Sequence, residues 1–134
     1  MNLPAARYTL KQLIEVKDIA PNLGVGETQE VRFARADLDA EHVGFAHHRV
    51  KPGTRQGIGH KHDHPQAEEV YVVISGSGRV KLDDETFELA PLDALRVAPE
   101  VMRSFEAGPD GIEFLAFGPR HDGDGEAIPG WWSD

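Results

Sequence analysis

Gly59-His60-Lys61-His62-Asp63-His64-Pro65-Gln66-Ala67-Glu68-Glu69-Val70-Tyr71-Val72-Val73-Ile74-Ser75-Gly76 is the stretch on which the reading of this chain turns. Three histidines alternate along it, at 60, 62 and 64. In extended backbone, side chains two apart share a face, so these imidazoles can converge on one point. Pro65-Gln66 turns the chain, and two carboxylates then open a run rich in β-branched and aromatic residues, Val70 to Ile74. Imidazole and carboxylate around open coordination positions suit a divalent transition metal. The same alternation sets the faces. If Glu69 points inward, so do Tyr71 and Val73, and Val70, Val72 and Ile74 meet a second layer or a subunit.

Outward from that stretch, short strand patterns follow one another. They are predicted near 43–50, 69–75, 78–82, 85–89, 93–98, 103–107 and 112–117, with Val31 and Phe33 in an earlier alternating run. Pro52-Gly53, Gly76-Ser77-Gly78, Asp83-Asp84 and Gly108-Pro109-Asp110-Gly111 punctuate them as turns. Short strands at this spacing, with no strong amphipathic helix between them, predict an all-β antiparallel sandwich or barrel. Phe45, His47 and Arg49 share one face of their strand, and Arg103 and Phe105 share one of theirs. A pocket lined by Phe45, Tyr71, Val73 and Phe105 would be apolar with a few polar anchors, as small-molecule sites usually are. Residues 1–28 read as a helix or a strand with a turn at Pro21 to Gly24. The tail from Pro119 is rich in Gly, Asp and Pro but ends in Trp131-Trp132. Indoles are costly to leave in water, so docking on the outside of the barrel or on a partner is expected ahead of a lid near Arg120 and His121.

The central stretch resembles the first signature of the cupin superfamily: His-x-His, three or four residues, Glu, six residues, Gly. Here it reads His62-x-His64, four residues, Glu69, six residues, Gly76. The resemblance implies a double-stranded β-helix or jelly-roll barrel, with metal on His62, His64 and Glu69. His60 is a further candidate ligand. The second signature of the family places a third histidine on the metal. In that frame Leu92 stands for the first glycine, Ala98 for proline, Glu100 for the second glycine, Arg103 for histidine and Ala107 for asparagine. Arg103 cannot be a ligand, because a guanidinium stays protonated and has no lone pair to give. Two roles are open to it. It holds an anionic group of a bound ligand while the metal sits on the remaining donors, or it pairs with Glu69 and no metal binds. His47 or His48 on the preceding strand are, like His60, reserve ligands.

Length and charge bound the rest. The 134 residues suffice for one domain with one core: an N-terminal extension 1–28, a barrel core of about 29–118 and a tail 119–134. There are 14 basic and 23 acidic residues, a formal net charge of −9, which disfavours nucleic acid and anionic membranes as partners. The absence of cysteine excludes disulfides, thiol nucleophiles and thiolate zinc sites. Met1 to Leu10 lacks the apolar core of a signal peptide, so a cytoplasmic location is expected. The expected function is that of a small metal-binding protein (Mn, Fe, Ni or Zn) acting on or binding a small, anionic molecule. If it is an enzyme, a dioxygenase, isomerase or lyase fits. The competing expectation is a metal-free binding or sensing module. A homodimer is expected from the apolar outward face and the two tryptophans.

Overall fold

The computed structural model describes residues 7–62, 66–119 and 126–133. Two 3₁₀ turns, Leu13–Glu15 and Ala20–Leu23, precede strand β1 (Gln29–Phe33), a single helical turn α1 (Arg35–Leu38), and strands β2 (Val43–Val50), β3 (Ile58–Lys61), β4 (Glu69–Leu82), β5 (Glu85–Leu89), β6 (Ala94–Val97), β7 (Arg103–Pro119) and β8 (Glu126–Pro129). All the pairings are antiparallel. One path runs β1-β2-β7-β3-β8, and β4 joins it by pairing with β7, carrying β6 and β5 on its other edge. The two long strands β4 and β7 bend through the whole barrel, and everything else is hung on them. No helix among the described residues is long and apolar enough to cross a membrane.

The strands predicted at 69–75 and 78–82 are one strand, and so are those at 103–107 and 112–117. Glycine was read as a turn signal, but here it marks bulges and close backbone approach. The β4–β7 register slips between Val73 and Ser75 and again between Gly76 and Gly78. A Cβ on Gly76 would lie 2.1 Å from the carbonyl oxygen of Gly111, and Gly76 has φ +75°. Gly76→Ala therefore meets both a left-handed backbone and a wall of main chain. We expect it to lower the unfolding free energy by about 2 kcal/mol or more, read from the urea midpoint. An unchanged midpoint would contradict the bulge.

Leu92 has φ +72°, a conformation that suits glycine. This is the residue that stands in the place of the second signature's first glycine, so the backbone keeps the shape while the residue has changed. The Asp83-Asp84 turn closes the β4–β5 hairpin, with Leu82 opposite Glu85.

Strand parity decides the core. Tyr71, Val73 and Val80 of β4 point inward with Phe105, Ile112, Phe114 and Ala116 of β7 and with Ala46 and Val50 of β2. Phe105 and Phe114 stack with centroids 4.2 Å apart, and Tyr71 lies 5.0 Å from Phe105. Each such buried ring contributes roughly 2–3 kcal/mol of burial. A second small cluster, Ala20, Val25 and Val31 with Ile19 and Ile58 against it, seats the N-terminal segment.

The tail docks on its own barrel. Strand β8 pairs with β3, with Ala127 opposite His60. The guanidinium carbons of Arg55 and Arg79 lie 4.5 and 5.3 Å from the ring centre of the buried Trp132, and Lys81 Nζ lies 4.6 Å from that of Trp131. Glu106 fixes both arginines, at 2.6 and 2.7 Å. A Cβ on Gly59 would come within 2.6 Å of Trp131, so the indole lies flat on the outer side of β3. The tryptophans are thus covered by the chain itself. The remaining ground for a homodimer is the outward apolar face that includes Val43, Ile74 and Phe117. The proposed lid residues Arg120 and His121 lie outside the described residues.

Candidate metal centre and cavity

Strand β3 lies between β7 and β8 and presents His60 inward, with Arg103 as its cross-strand partner on β7. His62 follows two residues on, its backbone N–H donating to Pro99 O at 2.8 Å. Glu69 opens β4. The alternation read from the sequence thus brings two imidazoles to one face, and the β4 strand delivers the carboxylate. Donor atoms of His60, His62 and Glu69 lie within 4.8 Å of one another. His64 and Pro65 lie outside the described residues, so the described cluster contains His60 beside His62 and Glu69.

Glu69 is the hub. The Tyr71 hydroxyl donates to its Oε1 at 2.5 Å and Arg103 Nη1 at 2.8 Å. His62 Nε2 is 3.0 Å and His60 Nε2 is 3.5 Å from the same oxygen. Burial pushes the Glu69 carboxyl up, but hydrogen bonds from His60, His62 and Tyr71 outweigh it and hold the group well below the usual carboxylate range. Burial lowers His60, only partly offset by Glu69. Burial and the Glu69 charge together raise Tyr71 well above its ordinary value. At neutral pH the donors are therefore a carboxylate and a neutral imidazole at His60. This is the protonation state that a metal requires of its ligands.

Arg103 corrects one expectation. Its side chain is fully buried and takes no part in the cavity wall. Nη1 binds Glu69, Nη2 donates to Ala98 O at 2.9 Å and Val101 O at 2.8 Å, and Nε donates to Val101 O at 3.2 Å. Four of its five N–H groups are engaged in this way behind the carboxylate, and it is not among the residues that line the cavity. Phe105 is likewise sealed in the core, at 1% exposure. His47 is a second correction. It points away from the cavity to Glu113, 2.6 Å away, which also accepts from Arg49. His48 faces inward instead, stacked 4.8 Å from Phe114, with burial lowering its pKa to about 3. The charged Arg49 carries the signal for this: it marks the outward face, which His47 shares and His48 does not. Tyr71 lines the cavity, and so does Phe45, although Phe45 shares the strand parity of His47 and Arg49.

The cavity is about 390 Å³. His48, His60, His62 and Glu69 stand on one wall with Tyr71, and Val25, Val31, Phe45, Ile58 and Ala116 make it mostly apolar. Ala127, from a tail read only as a turn-rich segment, is also on the wall. Such a volume takes a small organic molecule with one polar end.

The chain matches the family model of the cupin domain over residues 46–114, and it belongs to that family. No curated protein matches it. Among solved structures it is similar to a cupin protein from Bacteroides fragilis, at 23% identity, 88% of both chains and a TM-score of 0.68. It is also similar to the polyketide cyclase RemF from Streptomyces resistomycificus, at 19% identity, 94% of this chain, 87% of that one and a TM-score of 0.73. KdgF from a Halomonas species gives 22% identity, 73% and 86% coverage and a TM-score of 0.58. Likeness at these identities shows the shared barrel.

Proposed function

We propose that this cupin binds a divalent transition metal on His60, His62 and Glu69 and uses it to hold, and act on, a small and largely apolar molecule in the adjoining cavity. The observation that carries the reading is the convergence of these three donors on the wall of that cavity. Two imidazoles and a carboxylate suit Mn, Fe, Ni or Zn and leave coordination positions open. A bound metal would act as a Lewis acid toward the ligand's polar group. The protein's part is to orient that group. The apolar wall excludes water from it, and Tyr71 fixes the Glu69 carboxylate. A similar barrel occurs in a polyketide cyclase, which is compatible with an enzyme but does not select a reaction.

The Arg103–Glu69 pair at 2.8 Å favours a second reading, a metal-free binding module in which the guanidinium takes the place of the cation. Metal analysis of protein purified without an affinity tag separates the two. One divalent ion per chain is expected, with at least a tenfold loss of retention in His60→Ala and in His62→Ala, about 1.4 kcal/mol or more. Metal-free wild-type protein that still binds ligands in the cavity would establish the second reading.

A further inference from the structure

With Arg103 consumed by Glu69, the cavity needs another group if its ligand is charged, and the structure places one at Arg35. This residue opens α1, next to Phe33 at the end of β1, and lines the same cavity as Phe45, His48 and the metal-site residues. Ala34 anchors the turn, donating its N–H to Phe45 O at 3.0 Å. Among the described residues Arg35 makes a single side-chain bond, Nη1 to Ala40 O at 3.1 Å. Arg32, Arg49, Arg55, Arg79, Arg96 and Arg103 each have a carboxylate partner within 4 Å. Arg35 has none among the described residues, and neither has the exposed Arg7, which does not line the cavity, in a chain whose 23 acidic residues outnumber its 14 basic ones. Scarcity of carboxylates does not explain this.

We propose that Arg35 is the anion anchor of the cavity and that the ligand is a small amphipathic carboxylic acid, an inference that rests on the ligand-binding reading above. A guanidinium has five N–H donors in a planar fork, and one bond to a carbonyl leaves an edge free for a bidentate carboxylate. The apolar lining takes the body of such a molecule. The net charge of −9 repels anions in general, so a preference for an acid over its neutral analogue must come from a local cation.

The probe is a matched pair, 2-naphthoate and 2-naphthamide, titrated calorimetrically into the protein as purified, wild type and Arg35→Gln. Wild type should bind the acid about tenfold more tightly than the amide. Arg35→Gln should bind the two equally, with its affinity for the amide and its melting temperature unchanged. Arg35→Lys should keep part of the preference, since the charge remains and the fork is lost. Equal binding of acid and amide by wild type overturns the role of Arg35 and leaves the cavity reading standing. A preference that survives in Arg35→Gln also overturns it and moves the selection to the metal. Binding of neither compound at millimolar concentration overturns the cavity reading, and this proposal with it.

Discussion

Arg103→Ala should lower the unfolding free energy by about 3–5 kcal/mol, because it leaves a buried carboxylate without its cation. The carboxylate of Glu69 is 19% exposed and the guanidinium 0%. Removing the arginine also frees the carbonyls of Ala98 and Val101, which it now occupies. Each loss acts in the same direction. Urea unfolding with metal chelated is the measurement, and a wild-type midpoint in the variant would show that the pair contributes nothing. Arg103→His tests the other side of the same contact. A neutral imidazole removes the fixed positive charge next to the donors and adds a lone pair where the family's second signature has one. Metal affinity should rise several tens-fold, roughly 2 kcal/mol. Affinity equal to wild type would show that Arg103 does not oppose the metal.

Acid should begin to destabilise the chelated protein above the pH at which ordinary carboxylates titrate. Burial lowers His48 to about 3 from an ordinary 6.5, and the neighbouring charge of His60 adds to it. The folded chain thus binds this proton more weakly than the unfolded chain. The stability that depends on the neutral imidazole is complete above pH about 6.5 and is lost progressively as pH falls toward 3. His60 shifts in the same direction. The separation at His48 corresponds to an upper bound on the order of 5 kcal/mol. Glu69, held below its usual range, adds a loss at still lower pH. The urea midpoint should therefore fall steeply between pH 7 and pH 4.5, and His48→Phe should flatten the curve. A midpoint constant between pH 7 and pH 5 would contradict the burial of His48.

Local signals in the chain were legible and long-range ones were not. Alternation placed Tyr71 and Val73 inside, and the His60–His62 spacing put both imidazoles on one face, because both follow from the backbone period alone. The glycines at 76, 78, 108 and 111 misled, since turns and bulges draw on the same residue for the same conformational reason. The partner of Arg103 lay open between two readings. Its bond to Glu69 depends on how β4 and β7 are registered across a distant stretch of sequence, with Leu82 opposite Arg103. Arg35 was missed because it opens the short helical turn α1, which comes to the cavity only once β1 and β2 have paired. The pairing of Ala127 with His60 had no local sign at all, since Gly, Asp and Pro around it argue for a loop.

That last pairing carries a consequence for biosynthesis. Strand β3 holds His60 through two edges, one supplied by β7 and the other by β8, and Trp131 then closes over Gly59. During translation, the histidine strand emerges long before the residues that border it. Its outer edge stays open until the chain has been made as far as Pro129, and contacts so distant in sequence are slow to close. The candidate metal site thus reaches its final geometry only after Pro129 has been made. A nascent chain halted before residue 126 carries His60, His62 and Glu69 together with β7, yet leaves one edge of β3 bare.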